Sequence, residues 1–268
     1  MSNILEEITD YTRIRVSEKK KILSLENLKE EAGAIPVHMD FPFEKALKSE
    51  GISFILECKK ASPSKGIIAE DFPYIQIAKE YEEAGASCIS VLTEPKWFLG
   101  SDEYLREISK TVSIPCLRKD FVVDEYMIYE AKCLGASAVL LIASVLCRDE
   151  ISEYIKLCDS LGLSALCEAH DEAEVNMLLN AGARVIGVNN RNLKNFSVDI
   201  SNSSKLRNLV PPEIMFIAES GIKTCDDIRV LSEGGVNGVL IGETMMLSKD
   251  KKGMLSYLRS GDKSYDRN

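Results

Sequence analysis

Glu57 and Lys59 stand two residues apart where an apolar run gives way to a small polar loop, FILECKKASPSKG over 54–66. A strand has a side-chain period of two, so this spacing projects a carboxylate and an ammonium to one face. Burying both is costly unless partners or a ligand compensate, and the pair is therefore either an ion-paired plug or part of an active site. The same kind of ending recurs along the chain. Thr93 and Glu94 follow a second apolar run, Lys119 and Asp120 a third, Ser144 a fourth and Glu168 a fifth. Asn189, Asn190 and Arg191 follow the sixth, Glu219, Ser220 and Gly221 the seventh, and Gly242 and Glu243 the eighth. Amines and carboxylates gathered in a dry space are the equipment of general acid–base chemistry. Ser220-Gly221 and Gly242-Glu243 add a second capacity, backbone N–H groups that glycine lets approach an anion such as phosphate. At Glu243 the N–H is then the expected ligand, with the carboxylate turned away. His170, two residues past Glu168 and beside the candidate helix cap Asp171, reads as a neighbour of such a site or a solvated residue.

These residues act together only if the chain brings the eight endings to one place. The apolar runs occupy 52–58, 87–92, 114–117, 137–142, 163–167, 184–188, 214–218 and 236–241, with helical segments between them, the spacing of strand-loop-helix-loop units in a doubly covered parallel sheet. An internal echo accompanies them. EAGASCISVL, CLGASAVLLI, NAGARVIGV and EGGVNGVLIG place Gly85, Gly135, Gly182 and Gly235 about fifty residues apart, each at the helix end before an even-numbered strand. Eight strands in a quarter-repeat of two units predict an α/β fold, a closed (β/α)8 TIM barrel. An open doubly wound sheet would call for a GxGxxG fingerprint after its first strand, and none is present. In the barrel, chemistry lies at the C-terminal strand ends, where all the polar endings fall.

Before the barrel, Asn3 and Glu6 resemble a capping box, Ile4, Leu5, Ile8 and Tyr11 recur at helical spacing towards Lys21, Ser24 caps a second helix that Gly33 stops, and Pro42 opens a third that runs to Gly51. The reading is a single domain: a helical extension over 1–51 capping the barrel, a core over 52–248, and a C-terminal helix and tail over 249–268. The net charge of −9 argues against nucleic acid or an anionic membrane as partner. An anionic small molecule would need a local basic site. Eight cysteines, several inside apolar runs and without a CxxC pair or secretory signal, read as reduced thiols in a soluble cytoplasmic protein. With His38 and His170 as the only histidines, no metal site is expected. No apolar run approaches the roughly 20 residues that span a bilayer.

Seven motifs in order, ECKKASPSKG, LTEPKWFLGS, LRKDFVVDEYMIYEA, CEAHDEAE, GVNNRNL, AESGI and IGETMM, resemble those of the indole-3-glycerol-phosphate synthase family of tryptophan biosynthesis, over nearly the whole chain. The resemblance implies a carboxy-lyase without metal or organic cofactor, acting on 1-(2-carboxyphenylamino)-1-deoxyribulose 5-phosphate by ring closure, decarboxylation and dehydration. By matching positions, Lys119 is similar to the general acid, and Glu168 and Lys59 to the groups that manage later proton transfers. Glu57 and Asn189 match residues that hold the substrate hydroxyls and order the lysines. Arg191 and Ser62 match the surroundings of the substrate carboxylate, and Ser220, Gly221, Gly242 and Glu243 the phosphate positions. Trp97 and Phe98 fall where the family has pocket aromatics, with Phe98 the substrate-binding expectation. Pro95 in the second loop and Cys58, Cys167 and Ala169 depart from the expected pattern. Two other readings compete: a Schiff-base aldolase using Lys119, and a catalytically silent barrel that binds a phosphorylated metabolite. A monomer is expected, the helical extension covering the barrel without a partner.

Overall fold

The computed structural model describes residues 4–48, 50–192 and 196–261, and in it the chain enters through helices. Helix α1 (Ile4–Ile22) is followed by α2 (Leu25–Gly33) and the short α3 (Pro42–Ala46). Ser24 caps α2 as expected, its side chain accepting from the Asn27 N–H. Asn3, the other proposed cap, lies outside the described residues. The third helix stops at Ala46, short of the expected Gly51. Its Phe43 and Leu47 pack among Ile55, Cys88, Leu117 and Ala138, and Gly51, at φ +78°, turns the chain into the first strand. The segment after Ala46 is thus spent on filling the barrel and reversing direction.

From there the alternation is regular. The barrel strands are β1 (Ser53–Cys58), β4 (Cys88–Leu92), β5 (Cys116–Lys119), β6 (Ala138–Ile142), β7 (Ser164–Ala169), β8 (Val185–Asn189), β9 (Met215–Glu219) and β10 (Gly238–Ile241), with a small antiparallel pair, β2 (Ala61–Ser62) and β3 (Gly66–Ile67), in the first loop. Between and after them lie α4 (Tyr74–Ala84), α5 (Asp102–Thr111), α6 (Glu125–Cys133), α7 (Arg148–Ser160), α8 (Glu172–Ala181), α9 (Ser201–Arg207), α10 (Cys225–Glu233), α11 (Glu243–Leu247) and α12 (Lys251–Ser260). The eight long strands are parallel and close, β1 pairing with both β4 and β10. This is the (β/α)8 barrel. Gly85, Gly135, Gly182 and Gly235 all take positive φ at the helix ends that the repeat marks.

Two apolar layers hold the fold. Side chains at alternate strand positions, among them Ile55, Leu117, Leu140, Leu166, Val185, Ile217 and Leu240, fill the barrel, while their neighbours, including Leu56, Val139, Cys167, Ile186 and Ala218, pack outward against the helices. Cys58, Cys167 and Ala169, the small residues flagged in the sequence, belong to this outer layer, where a strand must lie close to a covering helix. Burial pushes the thiols of Cys58 and Cys167 far up from their ordinary value, so they behave as inert packing groups.

The extension reaches both ends of the barrel. α3 plugs the N-terminal end, where Glu44 pairs with Arg184 just ahead of β8 at 2.8 Å. α1 runs to the other end, where Ile4, Leu5 and Ile8 reach the wall of the central cavity. Its basic residues dock onto acidic ones of the barrel: Arg15 on Asp120 at 2.8 Å, Lys20 on Asp124 at 2.7 Å, and Lys19 on Asp102 and Glu130.

Candidate active site

A cavity of about 900 Å³ opens at the C-terminal ends of the strands. Its floor follows from the alternation just described. If Leu117 points inward and Arg118 outward, Lys119 must point inward again. The same count brings Glu57 in after Ile55, Glu168 after Leu166, Asn189 after Val185 and Gly187, and Glu219 after Ile217. The sequence placed Glu57 inside the first apolar run and Lys119, Glu168, Asn189 and Glu219 just beyond theirs. In the structure, Glu57, Lys119, Glu168, Asn189 and Glu219 all lie within strands, because the ladder continues past the point where the apolar pattern stops. Chemistry-bearing side chains on rigid strands are held more narrowly than on loops.

Lys119 is the centre of the floor. Its Nζ donates to Glu168 Oε2 at 3.1 Å and to Glu219 Oε2 at 2.9 Å. Burial disfavours its charge, yet Glu168, Glu219 and Glu57 outweigh that effect and the ammonium pKa stands above its ordinary value. The two carboxylates then divide. For Glu168, burial favours the neutral acid, but Lys119 and His170 hold its pKa below the usual carboxylate range. Glu219 is pushed up to about 7, by burial first and by the charge of Glu168, against the pull of Lys119. One ionised and one near-neutral carboxyl around a single ammonium form a set that both gives and takes protons. Glu219 is the residue for which the sequence reading named a place but no role. The signal was present, since it closes the seventh apolar run as Glu168 closes the fifth.

Room for Glu219 comes from Gly187, whose inward position a Cβ would fill, overlapping Glu219 Oε1. Gly187→Ala is expected to push this carboxylate off Lys119. The expected result is a loss of kcat of about 10²-fold, with overpacking costing about 1–3 kcal/mol. Steady-state kinetics and urea denaturation check both. Unchanged kcat in a stable variant would remove Glu219 from the working set.

Glu57 and Lys59 form a pair at 2.7 Å beside this centre. Gly242 lies against the pair, an added Cβ there falling 2.5 Å from Glu57 Oε1 and 2.8 Å from Lys59 Nζ. The opening of α11 and the end of β1 therefore meet with no side chain between them. After the neighbouring strand β9, Ser220 and Gly221 both take left-handed conformations, φ +67° and +86°, and a Cβ on Gly221 would run into Val198. Asn190 pins this turn, donating from Nδ2 to the Ser220 carbonyl at 3.2 Å while its Oδ1 accepts from Ser203. Ser62, Phe98, Arg191, Ser220, Gly221, Gly242 and Glu243 all line the cavity. The Glu243 carboxylate is occupied by Lys65 at 3.1 Å. Arg191 donates its N–H to Asn189 Oδ1 at 3.0 Å and its guanidinium to the Phe196 carbonyl at 3.4 Å.

The loop after β4 sorts its two aromatics. Glu94, fully buried, accepts from the N–H groups of Lys96, Trp97 and Phe98 at 2.7–2.9 Å, so it organises the loop instead of entering the site. Phe98 turns into the cavity near Phe121, ring centroids 6.0 Å apart. Trp97 turns out, edge-on to Tyr11 of α1 at 5.5 Å, with Lys96 over both rings. Ser144 is exposed and lies off the cavity wall, whereas Asp120 lines it with its carboxylate already engaged. The Asp120 carboxylate is taken by Arg15 and by Thr93 at 2.7 Å.

Comparison with known proteins agrees with this construction. The family model for indole-3-glycerol phosphate synthase matches residues 5–258. The chain is 57% identical to indole-3-glycerol phosphate synthase of Ruminiclostridium cellulolyticum, covering 96% of this chain and 98% of that one. It is 52% identical to the enzyme of that name from Lachnoclostridium phytofermentans, over 96% and 99%. Among solved structures, a 3-hexulose-6-phosphate synthase superposes with a TM-score of 0.61 at 13% identity, covering 78% of this chain and 98% of that one, a likeness of fold alone. Matched from the first turns of α1 to the last helix, through every strand that contributes to the cavity, the chain belongs to the indole-3-glycerol phosphate synthase family.

Proposed function

We propose that the floor of the cavity closes an indole ring, converting 1-(2-carboxyphenylamino)-1-deoxyribulose 5-phosphate to indole-3-glycerol phosphate, carbon dioxide and water. The observation that carries the assignment of roles is Lys119 held as an ammonium between Glu168 and Glu219. Ring closure forms a bond from the aryl carbon to the ketone carbon and places charge on the ketone oxygen. Lys119 supplies the proton there and stabilises the charge as it develops. Loss of carbon dioxide from the same aryl carbon leaves its electron pair in the ring system. Departure of the new hydroxyl as water, with the ring proton removed, completes the aromatic product. Glu168 and Lys59 serve these later transfers, and Glu219, poised near neutrality, exchanges protons with Lys119.

The remaining residues bind. Glu57 and Asn189 hold the sugar hydroxyls and order the lysines, and Arg191 and Ser62 receive the carboxylate. Phe98 stacks on the aryl ring, and the backbone of Ser220, Gly221, Gly242 and Glu243 takes the phosphate. Gripping the phosphate far from the reacting carbon supplies binding energy that orients the other end. A Schiff-base aldolase would need Lys119 as a neutral amine, and its raised pKa speaks for the acid instead. Mixing the protein with the carboxyphenylamino substrate is expected to develop indole fluorescence, and borohydride to trap no adduct. Absence of fluorescence would overturn the assignment. We also place the enzyme in the cytoplasm as a monomer without nucleic-acid partners. The buried free thiols support the reducing compartment, the net charge of −9 the lack of nucleic acid, and the docking of α1 on its own barrel the single copy.

A further inference from the structure

His170 follows β7 directly, one residue past its end, and its ring is clamped between two carboxylates. Nδ1 lies 3.1 Å from Glu174 Oε2, and the same oxygen accepts the His170 N–H at 2.7 Å. Glu174 belongs to the first turn of α8, which Asp171 caps through the Glu174 N–H at 2.9 Å, so the carboxylate that grips the imidazole is itself fixed by the helix start. This orientation leaves Nε2 facing inward, 3.6 Å from Glu168 Oε1. It is a buried ring nitrogen with no hydrogen-bond partner among the described residues. Lys119 holds the other oxygen of Glu168. From α9, Asn202 donates to the His170 carbonyl at 3.1 Å, which fixes the backbone.

We propose that His170 is a positioning residue for Glu168: anchored by Glu174, it presents Nε2 to the oxygen that Lys119 does not hold, and as an imidazolium keeps this carboxylate ionised. The inference rests on the reading of Glu168 as a proton-accepting group. The charges facing the ring come from three elements, Glu168 on β7, Glu174 on α8 and Glu219 on β9, with the ammonium of Lys119 beyond Glu168. Burial opposes the imidazolium, but the bond to Glu174 and the fields of Glu168, Glu174 and Glu219 outweigh it and raise its pKa. The coupling is reciprocal: the cation lowers the pKa of Glu168 and the anion raises that of His170. Lys119 cannot serve alone, because it also shares Glu219.

The chain has only two histidines, so ring-proton NMR of the full protein resolves His170 once His170→Asn identifies its signal. Glu168→Gln and Glu174→Gln are each expected to lower the His170 pKa by about one unit. In His170→Asn the acid limb of the kcat profile is expected to move up by about one unit, a loss of roughly tenfold on that limb, with KM unchanged. Glu174→Gln is expected to behave as wild type where His170 stays protonated and as His170→Asn above its lowered pKa. A His170 titration indifferent to Glu168→Gln, in a variant that has lost turnover, overturns the inference alone. Full turnover in Glu168→Gln overturns the role of Glu168 and the inference with it. Should His170→Asn fail to fold, His38→Gln identifies the other ring signal, and the two Glu→Gln titrations decide the matter by the same criteria.

Discussion

Lys119→Met is expected to lower kcat by about 10³-fold or more, the combined scale of a lost general acid and a lost electrostatic donor. Titration with indole-3-glycerol phosphate is expected to show binding largely kept, because the phosphate turn at Ser220 and Gly221 is built by Asn190, Ser203 and Val198 without Lys119. The substitution also changes the charge balance of the floor. Glu168, Glu219 and Glu57 lose the cation that compensates them, so the pKa values of Glu168 and Glu219 rise. A carboxyl whose folded pKa lies above its unfolded value binds more protons folded than unfolded in the window between the two. The stability of the variant is therefore expected to fall as pH rises from about 5 to 8, where urea midpoints at several pH values measure it. A variant with full turnover would remove Lys119 as the general acid. A pH-independent stability difference would mean that Lys119 does not set the ionisation of the two carboxylates.

How much of this was legible in the sequence depends on what kind of signal each residue leaves. Period-two alternation is visible in FILECKK, and it placed Glu57 and Lys59 together, as the 2.7 Å pair shows. The quarter-repeat of glycines was visible because a left-handed helix end admits few other residues. Other facts depend on contacts between remote segments. Nothing near Gly187 in the chain shows that its missing Cβ accommodates Glu219, thirty-two positions later in the sequence. Glu94 looks like a site residue at the end of a strand, and only the loop it gathers, with three N–H groups on one carboxylate, shows otherwise. Trp97 and Phe98 are adjacent and similar in chemistry. Which of them enters the cavity is decided by that loop and by Tyr11, more than eighty residues upstream.

Arg118 is the largest such omission, and Arg118→Met is expected to cost about 3–5 kcal/mol, the scale of breaking a buried ion pair from one side. It sits in the motif LRKD, between an inward leucine and the inward Lys119, so alternation sends it out of the barrel and under the helices. There its side chain is 0% exposed. The guanidinium spends its fork on separate partners: Nε on Thr93 at 3.3 Å, Nη1 on the Met127 carbonyl at 2.8 Å, and Nη2 on Asp102 at 2.8 Å and Glu130 at 2.6 Å. Lys19 of α1 binds the same two carboxylates, and Arg15 binds Asp120 on the far side of Lys119. The strand that carries the acid is thus fastened on both flanks to the extension that lines the cavity. Arg118→Lys keeps a charge but not the fork, and is expected to recover only part of the loss. The sign of the pH dependence follows from Asp102. Burial raises its pKa, but Arg118 and Lys19 overcome this and hold it below the usual value, so its contribution is present above about pH 4 and lost as pH falls through the folded pKa. The gap between wild type and Arg118→Met is therefore expected to narrow on acidification below about pH 4, read as urea midpoints from about pH 5 downward. A gap below about 0.5 kcal/mol at neutral pH, the range of ordinary surface substitutions, would show that the carboxylates do not need this cation, and that α1 holds β5 without it.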